Sequence, residues 1–150
     1  MNERVQRLMR IGYQYQHLNY QTLFPEVSHG EWILLVSIKK QAESEEMPFH
    51  SPGTGKFAKM LSCSPPMISK MFRSLEKKGY IIRRIDENDR RNTNVFLTEQ
   101  GEELLETGKA RMDVLFDKVV EKFGEEQMDE LLNIMEEFCQ VMREELEEKQ

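Results

Sequence analysis

The sequence predicts a mainly α fold with one small β hairpin, an α+β class built as a single domain. Three observations predict it. Apolar residues recur at steps of three and four over most of the 150 residues, the mark of amphipathic helices. Only Tyr80-Ile81-Ile82-Arg83-Arg84-Ile85 and Thr93-Asn94-Val95-Phe96-Leu97 are β-rich, and they flank a polar stretch, which reads as a hairpin. A chain of this length buries roughly 70% of its unfolded surface, enough for a core without disulfides or metals.

The first helix is expected over residues 3–23, on the spacing of Val5, Leu8, Ile11, Tyr15 and Leu18, and Pro25 stops it. Ser28-His29-Gly30-Glu31 is a capping box, in which the Ser oxygen accepts from the Glu amide while the Glu side chain reaches back. It opens a second helix, roughly 29–45, with Trp32, Leu35, Val36 and Ile38 inward. Pro48, Ser51, Pro52 and Gly53 mark a loop with a short strand around Phe49, and Thr54 starts a short third helix that turns Phe57, Ala58 and Leu61 to the core. Ser62-Cys63-Ser64 makes a tight turn. Ser64 before Pro65 starts a fourth helix, because proline lacks only an amide that the first turn leaves unpaired. That helix faces inward with Ile68, Met71, Phe72 and Leu75 and ends at Gly79, a left-handed cap. After the hairpin, Thr98 caps another helix. Two long apolar stripes follow, Leu104 to Phe123 and Met128 to Leu146, separated by Gly124, the second near heptad spacing.

Composition narrows the function. The longest central apolar run, Trp32 to Val36, is far short of the ~18 residues a membrane span needs. Residues 1–7 lack the apolar core of a signal peptide. Cys63 and Cys139 stand far apart with no CxxC, which excludes a disulfide scaffold and a zinc ribbon. A cytoplasmic location is expected. The net charge of −6 is unevenly spread: −1 over residues 1–53, +6 over residues 54–98 and −11 over residues 99–150. A basic middle therefore lies between a near-neutral start and an acidic end, which points to a polyanionic partner for the middle segment.

Short helix, tight turn, capped helix and a hairpin with a basic tip form a unit whose physics suits double-stranded DNA. An α-helix fits the major groove, and outward residues can read base edges. On the fourth helix these are Met67, Ser69, Lys70, Arg73 and Lys77. Ser64 and the helix N-terminus can hold a phosphate through amides and the helix dipole. The hairpin tip carries Arg90 and Arg91, whose guanidinium groups suit the negative potential of a minor groove.

Leu75-Glu76-Lys77-Lys78-Gly79-Tyr80-Ile81-Ile82-Arg83, then Asp89-Arg90-Arg91, then Val95-Phe96-Leu97-Thr98-Glu99-Gln100-Gly101 closely resemble the MarR family of bacterial transcription regulators. The three motifs stand in register without gaps, and the resemblance extends to the helices on either side. It implies a ligand-responsive repressor acting as a homodimer on a pseudo-palindromic operator. Residues 1–27 and 102–150 would form the dimerisation helices and residues 28–101 the winged helix-turn-helix lobe. The resemblance also implies that Asp89 orients the wing, Arg91 enters the minor groove and Arg90 lies near the backbone, with Lys70 and Arg73 in the major groove. It implies a small aromatic or anionic effector between lobes, for which Tyr13, His17, Tyr20 and Trp32 are candidates by position. One departure is that Pro65, Pro66 and Met67 stand where relatives often carry polar residues. They remove two amide donors and leave only an apolar contact, such as one to a thymine methyl.

Competing readings are weighed on the same residues. Lys78 reads as a solvated helix end favoured by the dipole, and Arg83 either pairs with Glu76 or Asp86 or contacts DNA. Gly53-Thr54-Gly55-Lys56 fails as a phosphate loop, since His50 and Phe57 occupy positions that need Gly and Ser or Thr. His17, His29 and His50 lack metal-ligand spacing, so no metal and no cofactor are expected. Cys63 lies at a helix start, where its pKa can fall and a redox role becomes conceivable, while Cys139 reads as core. No catalytic constellation is present in the sequence, so an enzyme is not expected. The rival of another class is a winged helix used to grip an acidic protein partner.

Overall fold

The computed structural model describes residues 2–43, 54–85 and 93–147. Six helices and one hairpin follow in order: α1 (Glu3–Gln16), α2 (His29–Glu43), α3 (Thr54–Met60), α4 (Pro65–Lys77), β1 (Ile81–Ile85), β2 (Thr93–Leu97), α5 (Glu99–Phe123) and α6 (Glu125–Glu147). The chain divides into two compact units, Met1–Gly108 and Lys109–Gln150. The strand expected around Phe49 lies outside the described residues.

The first unit holds the core. Phe24, Val27, Leu34, Leu35, Phe57, Ile68, Leu75 and Ile81 are almost fully withdrawn from solvent. They come from the turn before α2, from α2, α3, α4 and β1, so each element is pinned by its apolar face. Phe57 of α3 meets Phe72 of α4 edge to face at 5.7 Å between centroids. The hairpin is antiparallel, with Ile81 opposite Leu97 and Ile85 opposite Thr93. Thr98 ties its base to the next helix, donating to the Gly79 carbonyl at 2.6 Å and accepting from the Gly101 amide at 3.1 Å.

Helix α1 is shorter than its apolar spacing predicts. It ends at Gln16, and a single 3₁₀ turn covers Tyr20–Thr22. Two side chains bring this about. His17 Nδ1 donates to the Tyr13 carbonyl at 2.8 Å, and Asn19 Oδ1 accepts from the Gln21 amide at 3.2 Å, capping the new turn. No residue of α1 is buried.

Helices α3 and α4 end in the same way. Cys63 N–H reaches the Ala58 carbonyl at 3.0 Å and Ser62 N–H reaches Lys59 at 3.2 Å. Tyr80 N–H reaches Leu75 at 3.0 Å and Gly79 N–H reaches Glu76 at 3.0 Å. Both are Schellman closures, which need a residue in the left-handed region. At the second closure that residue is Gly79, φ 81°; at the first it is Ser62, φ 50°.

In the second unit no residue of α6 is buried. Leu115, Phe116, Val119 and Phe123 of α5 and Leu131, Leu132, Met135, Phe138 and Met142 of α6 are all exposed. Cys139, expected in a core, is exposed with them. The apolar stripes legible in the sequence are present: the first begins buried, at Leu104, Leu105 and Gly108 in the first unit, and among the described residues its continuation in α5 and the stripe of α6 stay exposed.

Candidate nucleic-acid interface

Helix α4 sorts its residues by spacing. Ile68, Phe72 and Leu75 are buried, and the opposite face carries Lys70, Arg73 and Lys77, all exposed. Three cations thus lie on the side turned from the core, over about two helical turns. Ser69 and Met67 flank them, Ser69 half-buried and Met67 50% exposed. The stripe has the side-chain chemistry of a major-groove reader: donors for base acceptors and phosphates, with one apolar group beside them.

The start of α4 differs from a simple phosphate cradle. Ser64 is the N-cap, but its side chain makes no capping hydrogen bond. Pro65 and Pro66 carry no amide, and the Met67 and Ile68 amides both donate to the Ser64 carbonyl, at 3.0 and 3.2 Å. The expected amide contribution to phosphate binding is accordingly reduced, and the Ser64 hydroxyl is the polar group this turn offers.

The hairpin stem is described; its tip is not. Asp89, Arg90 and Arg91 lie outside the described residues. At the stem, Arg83 pairs with Glu76 of α4, Nε at 3.0 Å and Nη2 at 2.5 Å from one carboxylate oxygen. Of the readings open for Arg83, the ion pair with Glu76 is the one formed, and it ties the wing to the end of α4. Arg84 lies over the Phe96 ring, 5.9 Å from its centroid.

Glu31 is the group whose role sequence reasoning underestimated. It forms the expected capping box: the Ser28 amide donates to Glu31 Oε2 at 2.7 Å and the Glu31 amide donates to Ser28 Oγ at 3.3 Å. The same oxygen also accepts from Lys78 Nζ at 2.9 Å, and the carboxylate is 5% exposed. Burial pushes the carboxyl up, but Lys78, Ser74 and the Ser28 amide outweigh it and hold it at about 2. Lys78 is therefore an ion-pair partner and not simply a solvated helix end. The signal in the sequence was the pairing of a capping-box acid with a lysine at the end of another helix; their separation of 47 positions hides the contact.

The four candidate effector residues do not share one environment. Tyr13 stacks on His17 at 3.9 Å on the exposed surface of α1 and its end. Tyr20 is half-buried, 6.3 Å from Tyr15 and 5.8 Å from His29 by ring centroids. Burial, then the hydrogen bond and charge of Tyr15, push its phenol up to about 12. Trp32 is 7% exposed, stacked on Phe24 at 4.5 Å and pressed against Gly108 of α5. It is a core residue, because an indole this size fills the space that Gly108 leaves open. Among the described residues, no three potential metal ligands converge and no helix is long and apolar enough to cross a membrane.

The geometry matches known proteins. The model of the MarR family fits residues 27–93, from the turn before α2 to the start of β2. A mutant of MepR from S. aureus superposes with a TM-score of 0.70 at 19% identity, covering 95% of this chain and 98% of that one. YusO from Bacillus subtilis gives 0.65 at 20% identity over 93% and 98%. The transcriptional regulator Tm0710 from Thermotoga maritima gives 0.60 at 20% identity over 97% and 98%. No curated protein matches the chain in sequence. These structures share the fold from α1 to α6, and residues 27–93 of this chain resemble the MarR family of transcription regulators.

Proposed function

We propose that the protein is a cytoplasmic, homodimeric regulator that binds a pseudo-palindromic operator in double-stranded DNA and releases it in response to a small ligand. The observation that carries the reading is the exposed Lys70, Arg73 and Lys77 stripe on a helix whose opposite face is locked into the core. A rigid helix with a cationic outer face is what groove recognition requires. Ser64, Met67 and Ser69 extend this surface, and Asp89, Arg90 and Arg91 supply the wing's contribution. MepR, which has this fold, is known in one structure bound to an oligodeoxyribonucleotide and in another bound to ethidium bromide.

The dimer reading rests on α1 and α6, neither of which buries a residue. An apolar stripe of that length needs a partner, and a second copy brings a matching stripe. The effector reading rests on the exposed Tyr13–His17 stack and on Tyr20, which present aromatic faces for a small aromatic or anionic compound. Repression is the regulatory sense proposed, since a dimer seated on an operator blocks access to the promoter.

Equilibrium binding to a duplex selected by the protein from a random pool tests the reading. Binding through several phosphates should weaken steeply with salt, with log–log slope about −0.9 for each phosphate neutralised, and a scrambled duplex should bind far less tightly. Flat salt dependence and no preference between duplexes would favour the alternative, a winged helix gripping an acidic protein partner.

A further inference from the structure

The buried Glu31 carboxylate joins two elements that the function must keep in register. It closes the capping box of α2 through the Ser28 amide and holds Lys78, the residue that caps the C-terminus of α4. Ser74, one turn earlier on α4, lines the same cleft as Glu31 and helps hold its carboxyl down. Lys78 and Ser74 lie on one side of α4, adjoining the outward Lys70, since residues four apart share a helix face. Between α2 and this side of α4 lies a cleft of about 580 Å³, lined by Gly30, Ile33, Met67 and Met71 among others. Side-chain packing is therefore incomplete on this flank, and the Glu31 contacts are the polar links that span it. Ile68, Phe72 and Leu75 seat the helix on one flank; the buried Glu31–Lys78 contact on the other flank fixes the fine rotation of α4 about its axis.

We propose that Glu31 is a positioning residue for DNA recognition: by gripping Lys78 at the end of α4 it sets the rotation of α4 and so the aim of Lys70 and Arg73 at base edges. The inference rests on the reading of α4 as the DNA-facing helix. Glu31 touches no base or phosphate itself. Its effect has a distinctive sign. Neutralising an acid makes the protein more positive, which strengthens attraction to any duplex. Loss of positioning instead weakens binding to the preferred sequence only.

The experiment uses the full chain and two duplexes of equal length, one selected from a random pool by the wild-type protein and one scrambled. Glu31→Gln preserves the shape and part of the hydrogen bonding and removes the charge. The expected result is a loss of about tenfold in affinity for the selected duplex, the size of one good base contact, with affinity for the scrambled duplex unchanged or higher. Lys78→Met is the second variant, at a partly exposed position, and its folding is checked first because it leaves the buried Glu31 without its cation. It should show the same selective loss with an unchanged salt slope, whereas a lysine that touches phosphate lowers the slope by about 0.9. Selected-duplex affinity in folded Glu31→Gln that equals or exceeds wild type overturns the proposal and leaves the DNA reading intact, as does a reduced slope in Lys78→Met. A wild-type protein that selects no duplex overturns the DNA reading and the positioning role with it.

Discussion

Ser62 carries the clearest local tension in the molecule. It occupies the left-handed region at φ 50° to close α3, a conformation that costs a residue with a Cβ roughly 1 kcal/mol relative to glycine. Ser62→Gly should raise stability by about 0.5–1 kcal/mol, read as a higher urea midpoint at unchanged slope. The opposite holds at Gly101 and Gly108. A Cβ on Gly101 would stand 2.2 Å from the Tyr80 carbonyl oxygen, and one on Gly108 would stand 2.2 Å from the Trp32 ring. Gly108→Ala should cost about 1–3 kcal/mol by overpacking, visible as a lower melting temperature with loss of the near-UV signal of Trp32. Glu31 adds a pH dependence. Its carboxyl is held at about 2 in the folded chain against an ordinary 4.5, so its contribution is full above 4.5 and is lost as pH falls through 2. That contribution is roughly 3 kcal/mol at neutral pH, and the stability gap between wild type and Glu31→Gln should shrink to under about half by pH 3. The capping box was legible because its four residues are adjacent. The Lys78 contact was not, because it depends on how two helices cross, and nothing local encodes a crossing.

Helix α4 is the element on which sequence and structure agree most closely, and the reason is local. Its start at Ser64-Pro65, its end at Gly79 and its buried Ile68, Phe72 and Leu75 all follow from spacing and cap chemistry. The hairpin stem and the Thr98 cap were legible for the same reason. Helix α1 was not: its apolar spacing runs on past Gln16, but the His17 ring and the Asn19 side chain compete for backbone groups and end it early. Periodicity reports which face is apolar and says nothing of such competition. The donors at the start of α4 were likewise overestimated, because a 3₁₀ bond from Met67 and an α-helical bond from Ile68, both to the Ser64 carbonyl, engage the first amides left after two prolines. The consequence is a division of labour that binding can test. Lys70→Ala and Arg73→Ala should each cost about 1–3 kcal/mol on the selected duplex if they read bases, and should act evenly across sequences if they touch phosphate alone. Ser64→Ala should cost less than either, since it removes a single neutral contact. Unchanged affinity in both cation variants would move the DNA-binding surface off α4.

At the scale of the whole molecule, the exposed apolar stripes decide what the chain must do next. Val5, Leu8 and Ile11 of α1 and Leu131, Met135, Phe138 and Met142 of α6 are all more than 40% exposed. Two helices so uncovered call for a partner, and the proposed homodimer is the state that covers them. An interface built from these helices belongs to the large, apolar class in which folding and assembly are inseparable. Sedimentation at micromolar concentration should therefore show a dimer, and Phe138→Glu should shift it to an unstable monomer. The dimer also fixes what the operator must look like. Two α4 helices related by a two-fold axis reach successive major grooves on one side of the duplex only when they lie one helical turn apart, ~34 Å or about 10 base pairs. The selected duplex should be an inverted repeat with half-sites at that centre-to-centre distance. Inserting five base pairs between the halves rotates one of them to the opposite side of the duplex, beyond the reach of the second α4, and should reduce affinity to that of a single half-site. Phe138→Glu, if it remains folded, should bind the original and the lengthened duplex equally, because a monomer reads one half-site at a time. Footprinting of both duplexes with both proteins checks the set. Protection of one half-site by the wild-type protein, or its indifference to the insertion, would show that the two copies do not act together on DNA.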